Sequence, residues 1–273
     1  MDPRRSAQPD PRPGPKLVPP SGQPTPPPAI SPAAPARRPG RVLQFPAPPA
    51  PAADTNAAAA QPRTWLLLEF GLLYVAGPLA LCLRLTDGLN ALEMLWLLAG
   101  FCLTLLLTDP TFDRRQLWNP APLRRQLPQI LGLFAAGVAM LTALVHAYAP
   151  RLLFGLPRRA PLLWSLILIS YPVVSVAPQT LVYRVFLFHR YRPLLRMAPN
   201  RRAVVLIVIS GLAFCFSHIV FRNWVAPALT LPGGLLFATR YHNTRSGYVS
   251  SLEHTLYGCF LFTVGLGHYF GMM

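Results

Sequence analysis

Four ionisable side chains fall inside or beside long apolar runs: Arg184, His218, Glu253 and His254. A charge or imidazole at membrane depth costs a few kcal/mol or more, so each marks a candidate functional position. Their spacing groups them. Thr180 and Arg184 are i,i+4 neighbours on a helix, and so are Gln179 and Tyr183. Phe214 shares a face with His218, and His254 stacks over Gly258, whose missing side chain leaves room for water or a ligand. Three helices can therefore direct an amide or hydroxyl and two imidazoles into one cavity. Two neutral imidazoles are natural zinc ligands, which makes His218 and His254 the candidate metal pair. A single buried histidine is ordinarily a hydrogen-bonded core residue; two on adjacent helices facing an arginine helix favour a site.

The rest of the chain says what must position these groups. With 52% apolar and only 12% charged residues, most of its surface must face something other than water. The formal charge of +16 raises nucleic-acid binding. That is set aside, because the arginines fall in the gaps between apolar runs and not along a stripe with interleaved aromatics. Residues 1–62 hold 19 of the 33 prolines and read as a disordered, Pro/Ala/Arg-rich cytoplasmic tail. Residues 63–273 read as an all-α, polytopic membrane helix bundle. About seven transmembrane helices are expected, near Trp65–Leu85, Ala91–Leu107, Leu127–Tyr148, Pro161–Val176, Val204–Phe221, Trp224–Thr239 and Gly247–Phe270. A separate amphipathic helix over Gln179–Tyr191 carries the first motif. Glu69 and Glu93 read as interfacial, and Cys82, Cys102, Cys215 and Cys259 as small apolar packers. Arginine density alternates along the connections, which places the N-terminus in the cytoplasm and the C-terminus outside. Arginine in place of lysine (Lys16 is the only one), with excess Ala and Pro, suggests a GC-rich bacterium and hence its inner membrane.

The order of the three motif segments resembles the CPBP family of intramembrane metalloproteases, which includes the type 2 CAAX prenyl endopeptidases. That family shows a Glu-Glu-x-x-x-Arg helix, then Phe-x-x-x-His, then His-x-x-x-Asn. Arg184, Phe214, His218 and His254 match it across roughly Pro172–Gly267. Gln179 and Thr180 stand where the family has glutamates, and Gly258 where it has asparagine. The resemblance implies a possible Zn2+ cofactor, His218 and His254 on the metal or oxyanion, and a membrane protein or peptide as substrate within the lipid bilayer.

Amide hydrolysis needs a base for the water and an electrophile for the carbonyl. Gln179 and Thr180 cannot take a proton. Glu253, the only acid after Asp113, either turns inward as substitute base or third ligand, or pairs with an arginine. The leading expectation is peptide-bond hydrolysis at or within the membrane with a degenerate first motif. The alternative is an inactive fold that binds a membrane segment. A small transporter, the third reading, lacks inverted repeats. Oligomeric state is left open.

Overall fold

The computed structural model describes residues 62–85 and 88–271; residues 1–61 of the expected tail lie outside the described residues. The described residues are helical throughout their ordered elements, with no strand among them. Eight helices follow one another: α1 Arg63–Cys82, α2 Ala91–Thr108, α3 Leu123–Tyr148, the short α4 Gly155–Arg159, α5 Pro161–Leu194, α6 Pro199–Phe221, α7 Val225–Thr244 and α8 Gly247–Val264. Five of them (α1, α2, α3, α5 and α6) are long and apolar enough to cross a membrane. α7 and α8 complete the seven long helices at the expected places but are more polar, because they carry the buried polar groups Thr230, Arg240, Thr244, Ser250, Glu253 and His254.

The bundle is apolar outside and polar inside, as lipid requires. Leu68, Leu72, Leu162 and Ile169 are exposed, while Arg184, Arg240 and Glu253 are buried. Close helix contact comes from small residues. A Cβ on Gly234 of α7 would lie 3.0 Å from the Gly211 carbonyl oxygen of α6, so these two backbones meet directly.

The expected fourth span and the motif helix form one continuous helix, α5, of 34 residues. Sequence reading ends the span at Val176 and begins the motif helix at Gln179, with Pro178 between them. The chain carries Pro172 and Pro178 without a break because α5 widens into π turns at Pro172–Val176 and Leu181–Phe186, which re-register the hydrogen bonds a proline removes. A further π turn, Leu72–Ala76, lies in α1 just before Pro78.

Polar clasps join the helix ends. Glu69 of α1 accepts from Arg190 at 3.0 and 2.7 Å and from the Tyr191 hydroxyl at 3.0 Å, and is therefore buried rather than merely interfacial. Glu93 forms a capping box with Asn90 at the start of α2. Asp109, one residue past α2, meets the His189 imidazole at 2.8 Å. The helix order places Arg63, the Arg114–Arg125 segment, the Arg190–Arg202 segment, Arg240 and Arg245 at one end of the bundle. The other end carries Arg84, Arg151, Arg158, Arg159 and Arg222, the last bound to the Cys82 carbonyl. All four cysteines are free, and Cys102 is fully buried among apolar side chains.

Candidate active site and cavity

The first motif lies across the π turn of α5 and presents two faces. Gln179 and Tyr183 line a cavity of about 720 Å³ bounded by α1, α2, α5 and the far ends of α6 and α8. Thr180 and Arg184 turn the other way, into the packed interior, at 3% and 0% exposure. Helical pairing read from the sequence thus holds, but the two pairs serve different environments.

His218 belongs to the cavity. Its Nδ1–H donates to the Phe214 carbonyl at 2.7 Å, which leaves Nε2 as the free acceptor. The Phe-x-x-x-His spacing produces this bond, since residues four apart on the last turn of a helix bring the ring back onto the carbonyl. Gln179, which lines the same cavity, donates from Nε2 to the Ser175 hydroxyl at 2.7 Å. Leu72, Leu81, Leu92, Leu95, Leu98 and Ile167 supply most of the remaining wall. The cavity is thus an apolar pocket with one imidazole, one amide and a few hydroxyls. Among the described residues no carboxylate lines it.

Arg184 and His254 sit behind that wall in an aromatic nest. The Arg184 guanidinium lies 4.0 Å from the Phe214 ring centre and 5.6 Å from that of Phe237. His254 stacks on Phe237, with centroids 4.6 Å apart and 21° between planes, and meets Phe214 edge-on at 5.4 Å. His218 touches the same Phe214 ring at 4.6 Å. Phe214 therefore contacts all three basic motif residues.

Glu253 is not with them. It is fully buried and holds Arg240 of α7 in a two-pronged ion pair, Nε to Oε2 at 2.8 Å and Nη2 to Oε1 at 2.9 Å. Arg240 also reaches Gln126 and Gln129 of α3. Of the two roles open to Glu253, the arginine pair is the one its side chain adopts. The geometric reason is simple: adjacent residues on α8 point about 100° apart, so Glu253 faces α7 and α3 while His254 faces Phe237.

Gly258 makes room for a protein group and not for water. A Cβ built there would run into the Tyr171 ring, which packs over the glycine and also lines the cavity. Gly258→Ala should therefore destabilise the protein by about 1–3 kcal/mol through overpacking, read as a lower melting temperature in detergent.

The donor set does not suit a resident zinc. A catalytic zinc takes three protein ligands; His218 and His254 are two, and among the described residues no group of three His, Cys, Asp or Glu side chains could hold an ion. The Arg184 cation in the same aromatic nest further disfavours a second one. The residues that sequence reasoning missed are Tyr171, Ser175 and Ser217. Tyr171 was signalled only weakly, by a phenol deep in an apolar run one residue before Pro172.

Residues 160–260 match the family described as Type II CAAX prenyl endopeptidase Rce1-like. No curated protein and no solved structure matches the chain.

Proposed function

Residues 160–260, which hold every motif position, belong to the Rce1-like family of CAAX-protease-type membrane proteins, and on that premise we propose that this multi-pass protein holds a membrane-embedded peptide or lipid-linked tail in its cavity without cleaving it. One observation carries the reading: among the described residues no carboxylate lines the cavity. Gln179, at the position of a family glutamate, is an amide bonded to Ser175, and the one acid of the later half is committed to Arg240. What remains is an apolar recess of ligand size with a few polar groups on its wall, the composition of a binding site. Hydrolysis is the second reading, and the observation in its favour is that His218 and Gln179 share the cavity.

The arginine-rich end of the bundle faces the cytoplasm in this proposal, in the inner membrane of a bacterium, with the N-terminal tail inside. The cavity then lies toward the outer leaflet. Its wall includes Leu81 near the end of α1, Ala91 at the start of α2 and Phe221 at the end of α6, all at the arginine-poor ends.

The test uses full-length protein in detergent micelles and a fluorescent peptide carrying an isoprenyl thioether. Saturable anisotropy change with no product by mass spectrometry is expected. Filling the cavity with Leu95→Trp should weaken that binding at least tenfold. Product that accumulates with the wild type and disappears with His218→Ala would overturn the reading in favour of hydrolysis.

A further inference from the structure

Arg184 is a fully buried cation whose three side-chain nitrogens make no hydrogen bond to any group among the described residues. Such a group is not stable alone. Burial removes its hydration, and the attraction of two aromatic rings replaces only part of it. A counter-charge is required, and the protein does not supply one among the described residues. Each described acid is committed elsewhere: Glu69 to Arg190, Glu93 to the Asn90 amide, Asp109 to His189, Asp113 to the Arg115 amide and Glu253 to Arg240. Gln179 and Thr180, on the preceding turn of the same helix, are uncharged.

We propose that Arg184, with Thr180 and His254, forms a buried binding site for a monocarboxylate. The ligand class follows from the geometry of what is unpaired. The Phe214 ring covers one face of the guanidinium at 4.0 Å, so an acceptor must approach in its plane, where the N–H fork matches the two oxygens of a carboxylate. Two further polar atoms of the same neighbourhood are buried and unpartnered, the Thr180 hydroxyl oxygen and His254 Nδ1. Thr180 lies four residues before Arg184 on α5, and His254 packs on the same Phe214 and Phe237 rings. Each of these side chains can donate to a carboxylate oxygen: the guanidinium N–H groups, the Thr180 hydroxyl and His254 when its Nδ1 carries the proton. A single negative charge balances the single positive one; a dianion would leave a charge uncompensated between aromatic rings. This site does not depend on whether the neighbouring cavity binds or cuts a peptide.

The experiment is a thermal melt of the full-length protein in neutral detergent at constant ionic strength, with a bulky sulfonate as reference anion. Acetate, decanoate and chloride are titrated in turn. Acetate should raise the melting temperature saturably, by about 5 °C at a hundredfold excess over its midpoint. A decanoate midpoint at least tenfold lower assigns the carboxylate to the end of an apolar chain; equal midpoints assign it to a free small acid. Thr180→Glu, which places a carboxylate one turn from Arg184, should melt higher than wild type in the reference buffer and lose the acetate response. Arg184→Met should lose the response too. The proposal is overturned if the wild type responds to no carboxylate, if chloride stabilises as much as acetate, or if Thr180→Glu retains the full response.

Discussion

Glu253→Gln should lower the stability of the folded protein by about 3–5 kcal/mol, the cost of stranding one partner of a buried ion pair. Glu253 is fully buried and Arg240 is 2% exposed, with two bonds at 2.8 and 2.9 Å between them. Removing the carboxylate charge leaves the guanidinium with neutral amide oxygens alone as acceptors, those of Gln126, Gln129 and the substituted side chain. Three helices meet at this point, so the loss loosens α3 from α7 and α7 from α8. A fall of about 10 °C in melting temperature is expected for a domain of this size. Glu253→Leu combined with Arg240→Met should recover most of it, since replacing both ions by apolar groups of similar shape avoids the stranded charge. Should Glu253→Gln melt like the wild type while abolishing a cleavage activity, the side chain would be a catalytic base and its bond to Arg240 incidental.

Gln179→Glu should have the largest effect on chemistry. It puts a carboxylate at a position that lines the same cavity as His218, where the family pattern has one. Glutamate keeps the size of glutamine and can accept a bond from the Ser175 hydroxyl, which now accepts from Gln179 at 2.7 Å. A positioned general base contributes roughly 100- to 10,000-fold, so cleavage of a bound peptide should rise by that order over the wild-type background. Initial rates measured by mass spectrometry check it, and His218→Ala placed in the Gln179→Glu protein should remove the gain. A folded Gln179→Glu protein with no rate increase would put the missing function at Gly258. There Tyr171 occupies the space that the family's asparagine side chain would need.

The fold was largely legible because lipid writes its demands plainly into composition. Long apolar runs, separated by arginines, become helices wherever backbone polar groups have no water to turn to. Apolar runs give starts and ends within a few residues, as for Ala91–Thr108. What they cannot show is continuity through proline. The segment around Pro178 reads as a boundary, yet α5 passes through it, because a wider turn is invisible to a pattern built on 3.6 residues. The site was legible in pairs and not as a whole. Spacing joined Thr180 to Arg184 and Gln179 to Tyr183, but which pair faces a cavity depends on what packs against α5, over Leu181–Phe186 chiefly α2 and α6. Glu253 was open to two roles because its partner Arg240 lies thirteen residues away on another helix. Tyr171 filling the Gly258 notch is a contact across 87 positions, with nothing local to announce it.

The π turns bear on how this chain tolerates a change in length. A π turn holds one residue more than the α turn it replaces, so it stores a spare residue without rotating what lies beyond. Within Leu181–Phe186 one residue can be removed and the turn becomes an ordinary α turn, with both flanks in phase. The same removal a few positions later, in the purely α-helical stretch Leu187–Arg190, swings everything after it by about 100°. Arg190 and Tyr191 would then face away from Glu69. Indels in α5 are therefore neutral or ruinous according to which turn they fall in, and the motif sits on the segment where the slack is kept.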